Sequence, residues 1–343
     1  MSSRLVLVVP ADVHKPTGGN RYDRSLAAAL HQLGTEVEQR LAPGGWPVAT
    51  AADRDRLAQL LHGPDPVLAD GLMACGAPDA VARAVAGGCR VHVLVHMPLA
   101  LEPRPGRPAA DLQALEREAL HAATGVVTTS RWTAADLHQR HGLDGVAVAQ
   151  PGADPAPASA GSAPPRLLHL AAVTPIKDQL TVVEALARVR DLPWTADLTG
   201  PLDVDPGYTE RVEVALDRHR LADRVRLTGP VDGADLERAW DAADLLLLPS
   251  RAETWGMAVT EGLARGVPAV VSRGTGAEEA LGCAEDGSVP GAAVPAGDPD
   301  ALAAAVRDLL GPGRERARRA ARSRRRTLRS WQHTARDVLA AVS

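Results

Sequence analysis

The sequence predicts an α/β chain of two parallel-sheet domains in tandem, and three observations carry that reading. Its 343 residues are too many for one ordinary domain and suit two of about 150 residues each. Short apolar runs alternate with segments of helical periodicity, the order that builds a parallel sheet with helices on both faces. The alternation stops at residues 153–165, ADPAPASAGSAPP, which hold four prolines and few side chains to bury. It then restarts, as expected across an interdomain linker.

The elements follow in order. RLVLVVP (4–10) reads as a buried strand. Residues 20–34 read as a helix with Tyr22, Leu26, Leu30 and Leu33 on one face and Gly34 as its stop. Next come the strand PVLAD (66–70), a helix over 77–87, the strand RVHVLVH (90–96), a helix over 110–123 and the strand GVVTTS (125–130). A helix over 133–141 and the strand VAVAQPG (146–152) close the first half. The second half gives strands at 166–173, 195–201, 224–230, 244–250 and 268–272. Its helices span 178–190, 207–219, 233–242, 256–265 and 298–310. Both halves are expected to be Rossmann-like, over 1–153 and 166–325, joined by a linker over 154–165.

Composition removes several classes. Hydrophobic residues at 45% and charged residues at 23% exclude general disorder. Aromatics make up 2% with no Phe, so the core rests on Ala, Val and Leu, and a base-stacking nucleic-acid platform is not expected. Three scattered cysteines, Cys75, Cys89 and Cys283, form no C-x-x-C. They read as reduced thiols of a cytoplasmic protein, without a disulfide framework or zinc site. The first apolar run is too short for a signal-peptide core, and no run spans a bilayer. Residues 314–329 hold nine arginines against one glutamate and read as a solvated helix face, with an acidic partner surface or peripheral contact with an anionic membrane as the alternatives. Among 38 Lys+Arg, only Lys15 and Lys177 are lysines. That bias raises the expectation that each sits where a compact ammonium is wanted.

The stretch ADLLLLPSRAETWGMAVTEGLARGVPAVVS (243–272) carries the chemistry. A strand ends near Pro249, a loop holds Glu253, and a helix begins near Gly256. A helix N-terminus behind a glycine is an anion site, suited to a diphosphate. Glu261 lies one and a half turns in, placed to accept two ribose hydroxyls. Glu253 is placed to accept hydrogen bonds from a sugar.

ETWGMAVTE resembles the paired-glutamate signature of the retaining glycosyltransferases of family 4, the glycogen-synthase-like group with the GT-B fold. TGGNRYDRSLAAALHQLG (17–34), VLVHMP (93–98), TTSRWTAADL (128–137), QPGADP (150–155) and VTPIKDQLTVVEAL (173–186) resemble other segments of that family. The resemblance implies two Rossmann-like domains with parallel sheets facing across a cleft. It implies a hexose-like sugar moved from a nucleotide diphosphate sugar to a small-molecule, lipid or glycan acceptor, with retention. No cofactor, obligatory metal or nucleic-acid partner is implied.

By that resemblance Lys177, Glu253 and His96 are the catalytic candidates. Gly18, Gly19, Lys177, Glu253, Thr254, Gly256, Met257 and Glu261 are the donor-binding ones. Ser130 and Arg131 fall on the acceptor side. Gly274-Thr275-Gly276 with Glu279 resembles a further donor loop. The segment 326–343 is expected to cross back to the first domain, with Trp331 and Leu339 as anchors. One departure stands out: where the family often has a diphosphate-binding arginine, this chain has Ala172. Lys15, Arg131 and Arg273 are the candidate replacements.

Other motifs read as bland. Asp203-Val204-Asp205 is taken as a turn before Pro206-Gly207. His138 and His141 are taken as a solvated helix face, and His92 as a packed histidine. No complete G-x-G-x-x-G opens a helix, which argues against a nicotinamide dehydrogenase. The rivals on the same fold are a nucleotide-sugar epimerase, a sugar phosphorylase and a non-catalytic nucleotide-sugar-binding protein.

Overall fold

The computed structural model describes residues 4–11, 17–102 and 107–343. The chain divides into two compact units, Met1–Gly152 with Arg329–Ser343, and Ala153–Leu328. Among the described residues, no helix is long and apolar enough to cross a membrane.

The first unit runs β1 (Arg4–Pro10), α1 (Gly18–Gln32), β2 (Glu36–Ala42), α2 (Ala51–Leu60), β3 (Val67–Asp70), α3 (Gly71–Ala74) and α4 (Pro78–Ala86). It continues with β4 (Val91–Val95), α5 (Ala109–Ala122), β5 (Gly125–Thr128), α6 (Arg131–His141) and β6 (Ala147–Val148). Its parallel sheet has the order β2-β1-β3-β4-β5-β6. The inner strands β1, β3 and β4 are buried from end to end but for Arg4 and are mostly apolar, as expected of strands covered on both faces. Both glycines expected in a turn open α1, where Thr17 caps by accepting from Asn20 N–H at 3.2 Å. β2 and α2 were not read from the sequence. β2 is a half-exposed edge strand of mixed polarity, and α2 is defined by the capping box of Thr50 and Asp53 rather than by an apolar stripe.

The second unit runs β7 (Arg166–Leu170), α7 (Gln179–Arg188), β8 (Thr195–Thr199), α8 (Pro206–Arg218), β9 (Val225–Gly229), α9 (Gly233–Asp241) and β10 (Ala243–Leu248). It continues with α10 (Met257–Ala264), β11 (Ala269–Ser272), α11 (Gly276–Leu281), β12 (Gly291–Val294), α12 (Pro299–Leu310) and α13 (Arg314–Arg324). This sheet is also parallel, in the order β12-β11-β10-β7-β8-β9. The order reverses between β7 and β10. In such sheets the loops leaving the carboxyl ends of the strands at the reversal form the ligand crevice.

With no Phe, tryptophan fills the largest interior positions of this unit: Trp194 and Trp240 are fully buried. The Arg224 guanidinium lies 3.8 Å over the Trp194 ring. The stretch read as a linker does not stand apart. Ser159 Oγ donates to the Asp241 and Ala243 carbonyls at 2.8 and 2.7 Å, and Ser162 N–H donates to Asp244 at 2.9 Å. Residues 154–165 thus belong to the second unit's surface.

The arginine-rich segment also departs from a purely solvated face. In α13 the alanines 317, 320 and 321 are buried. Arg314 and Arg318 reach Asp244, a buried carboxylate, at 2.9 and 3.3 Å.

The last helix, α14 (Trp331–Val342), completes the first unit. Trp331 packs edge-on against Tyr22 of α1 with ring centroids 5.4 Å apart, and Thr334 Oγ1 donates to the Gln150 carbonyl at 2.7 Å. Val338 is buried where Leu339 was expected, and Leu339 is half-buried.

Candidate active site

In the second unit, two loops leave the carboxyl ends of β7 and β10, the strands flanking the reversal. The first carries Lys177 and the second Glu253. Lys177 Nζ donates to Glu253 Oε2 at 2.7 Å, and Ser250 Oγ reaches the same oxygen at 3.3 Å. Glu253 is buried and Lys177 about one-fifth exposed at its side chain. Residues 76 apart in sequence are therefore joined at the crevice mouth.

The Lys177 loop is held from below by a network that the sequence did not announce. The Gln179 amide donates to the Ala172 carbonyl at 2.9 Å and accepts from Thr174 N–H at 3.3 Å. It also meets His169 Nε2 at 3.0 Å, while His169 Nδ1 faces the Leu247 carbonyl at 2.8 Å. Only the neutral ring, donating from Nδ1 and accepting at Nε2, satisfies both contacts. Burial lowers the His169 pKa, with Leu247 opposing and Lys177 assisting, to about 4. Arg251 N–H donates to the Ile176 carbonyl at 2.8 Å, and its side chain pairs with Asp178 at 3.1 Å. Both ties fasten the two loops on either side of Lys177.

The glutamate loop is fixed by glycines. Gly256 caps α10 at φ +82°, a left-handed conformation that suits glycine. Gly276 N–H donates to the Glu253 carbonyl at 2.7 Å, and a Cβ there would lie 1.9 Å from the Thr254 carbonyl oxygen. The Gly274–Gly276 turn therefore supports Glu253 through its backbone. Thr254 is buried, Met257 opens α10 half-buried, and Glu261 is half-buried in the second turn of α10. Arg273 is bonded to the Ala293 carbonyl at 3.1 Å. Lys15 lies outside the described residues.

In the first unit, His96 follows β4 and meets Asp23 of α1 at Nε2···Oδ1 3.0 Å, with Asp70 Oδ2 at 3.7 Å. Asp70 ends β3 and caps α3 through Leu72 N–H at 2.7 Å. Gly19 lies against the ring: a Cβ there would be 3.1 Å from His96 Cδ2. Tyr22 meets the ring edge-on at 5.0 Å and donates to the Ala149 carbonyl at 2.8 Å.

Burial alone would lower the His96 pKa. The charge and hydrogen bond of Asp23, with the charge of Asp70, outweigh it and lift the pKa to about 9. Burial raises Asp70 to about 6, with His96 opposing and Asp23 assisting. These three side chains place one ligand atom each within 4.8 Å of one another. The same contacts set the imidazole between two carboxylates, an arrangement that favours its protonated form.

Two further histidine and serine readings change. His141 is buried, not solvated: it meets Glu116 at 2.9 Å, and Glu116 in turn accepts from Leu99 N–H at 2.9 Å. His138 is exposed beside Asp144. Ser130 is buried and its Oγ caps α6 by accepting from Thr133 N–H at 2.9 Å, so its hydroxyl is spent within the fold. Arg131, at the start of α6, is exposed. Asp205 of the D-x-D stretch caps α8 through Tyr208 N–H at 2.9 Å. His92 is buried in β4.

A family model described as glycosyl transferases group 1 matches residues 164–311. The D-inositol 3-phosphate glycosyltransferase of Salinispora tropica is 30% identical over 254 residues, 65% of this chain and 52% of that protein. This chain spans about half the length of the curated relatives it matches. Among solved structures, Anabaena HepE in complex with UDP-glucose has a TM-score of 0.77 at 19% identity, with 98% of each chain covered. Sucrose-phosphate synthase from Thermosynechococcus elongatus has a TM-score of 0.75 at 19% identity, also over 98% of each chain.

Proposed function

We propose, from a chain of GT-B fold whose residues 164–311 match the group 1 glycosyl transferase model, that this protein is a retaining, metal-independent hexosyltransferase. It takes its sugar from a nucleotide diphosphate donor. The observation that carries the reading is the 2.7 Å Lys177–Glu253 contact at the strand-order reversal of the second sheet. An ammonium has three N–H donors, so Lys177 keeps Glu253 and still offers protons to a diphosphate. As the anomeric C–O bond breaks, charge collects on the departing diphosphate. Lys177 and the N–H groups at the start of α10 meet that charge.

Glu253 orients Lys177 and accepts from sugar hydroxyls. Glu261 accepts from the ribose. The glycines opening α1 present N–H groups, and His96 contributes a cation from the first unit. HepE was solved with UDP-glucose, which supports a donor of this class. The acceptor is a small molecule, lipid or glycan, and nucleic acid is no partner.

A thermal-melting panel of nucleotides and nucleotide sugars identifies the donor, because a ligand of the native state raises the midpoint. The stabilising donor is then offered with polyol and glycan acceptors, and the product's anomeric configuration is read by NMR. Retention is expected, and EDTA should leave the rate unchanged. An inverted product, or donor consumed with no acceptor present, counts against the reading. Glu261→Gln should weaken nucleotide binding by roughly 1.5–3 kcal/mol in calorimetry, since a charge-assisted acceptor is lost. Unchanged affinity would remove the ribose role.

A further inference from the structure

Asp23 was not marked by any sequence signal, yet it makes the shortest polar contact that the structure gives His96. Its Oδ1 lies 3.0 Å from Nε2. An imidazole committed through Nε2 meets anything else with Nδ1 or with its ring edge. Helix α1 surrounds the ring with three residues in one turn. Gly19 gives it a floor that no side chain occupies, Tyr22 stands edge-on at 5.0 Å, and Asp23 accepts a hydrogen bond from its Nε2–H. Asp70, at the end of β3, adds a second carboxylate at 3.7 Å while its other oxygen is bound by Leu72 N–H. Asp23 is itself buried, with a side chain 4% exposed, so its carboxylate has no latitude to turn toward solvent. The orientation of the ring is set from α1.

We infer that Asp23 is a positioning residue for the transfer reaction. It acts through His96, holding the imidazole at the end of β4 with Nε2–H toward α1 and leaving Nδ1 as the atom that works on the substrate. The inference rests on the glycosyltransferase reading, and the two can fail separately. Among the described residues, the charged and titratable groups facing the ring are Asp23 and Tyr22 from α1 and Asp70 from β3.

The test has two arms. In the first, long-range ¹H–¹⁵N spectra follow the His96 ring through pH, with His96→Gln giving the assignment. In the wild type the ring should stay protonated through neutral pH. In Asp23→Asn its midpoint should fall by at least about one pH unit, the scale of losing one adjacent charge. Identical titrations overturn the inference.

In the second arm, acceptor-dependent nucleotide release is measured from UDP-glucose and from GDP-mannose as donor probes, with the polyol and glycan acceptors present. Asp23→Asn should lower kcat about 10-fold with KM nearly unchanged and move the alkaline limb of the profile to lower pH. Asp23→Glu should recover part of the rate. A drop in kcat with an unmoved pH profile and no recovery by Glu marks a merely structural role and overturns the inference. If the wild type releases nucleotide from neither probe, the transferase reading loses its support, while the imidazole titration still decides whether Asp23 holds His96.

Discussion

Lys177→Ala is expected to lower turnover about 100-fold or more, the scale of losing one group that stabilises transition-state charge. Lys177→Arg should recover only part, because a planar guanidinium does not occupy the 2.7 Å position on Glu253 as an ammonium does. Steady-state kinetics with the identified donor check both, and wild-type turnover in Lys177→Ala would end the assignment. At this scale the sequence was legible where chemistry and rarity coincide. Lys177 is one of two lysines, and Glu253 and Glu261 share a strand–loop–helix segment. It was not legible where a side chain's role depends on a partner far along the chain. Asp23 is ordinary until His96, 73 residues later, comes to 3.0 Å. His141 looked solvated because Glu116 stands on another helix. Gln179 and His169 are only ten apart, but strand and helix must both form before they meet.

Helix α13 and the α11 turn carry the predictions that belong to elements. Asp244 accepts from Arg314, Arg318, Ser162 and the Arg166 amide, so one buried carboxylate pins α13, the 154–165 stretch and the start of β7 to β10. Asp244→Asn leaves two arginines facing a neutral amide. It should cost up to about 3–5 kcal/mol, the scale of removing one partner of a buried ion pair. Denaturant unfolding measures it, and a loss below that of an ordinary surface change would show that the arginines are satisfied by water. Gly276→Ala places a methyl 1.9 Å from the Thr254 carbonyl oxygen. The turn and the Glu253 loop must part, so melting temperature and nucleotide affinity should fall together. An affinity unchanged at full stability would show that Glu253 does not depend on this support. Helices with an apolar stripe were readable from their period. α13 was readable only as a charge run, because its buried face is three alanines and its arginines conceal the pattern.

For the molecule as a whole, one histidine in each unit is strongly shifted, His96 in the first and His169 in the second, and the two shifts run in opposite senses. His169 has a folded pKa of about 4, below the unfolded value of about 6.5. Between these values the unfolded chain binds the proton and the native one does not. Stability from the neutral ring is therefore complete above about 6.5 and is lost as pH falls toward 4, on the order of 3 kcal/mol in all. Acid should loosen the Lys177 loop with it. His96 has a folded pKa of about 9, above its unfolded value. Its contribution is complete below about 6.5 and is lost as pH rises through 9. Asp70, raised to about 6, works against His169 in the acid range, because its neutral form is favoured in the fold. Melting curves from pH 4 to 10 should show an acid limb that His169→Gln flattens and an alkaline limb that His96→Gln flattens. Limbs that survive both changes would place the titration elsewhere.

The route of the backbone gives the first unit an unusual history during synthesis. Everything in the second unit, Ala153–Leu328, is contiguous, whereas the first unit is left without α14 until the chain has passed through the whole of the other. A ribosome therefore finishes the second unit before the first is complete. Throughout that interval Tyr22 and Gly152 lack the Trp331 segment that covers them. Tyr22 adjoins the His96 ring, so the wall of that histidine's setting is among the last parts of the molecule to be enclosed. A nascent chain halted just short of residue 329 would hold a finished Lys177–Glu253 pair in one unit and an unfinished His96 cluster in the other. The order of translation sets which of these two side-chain clusters matures first.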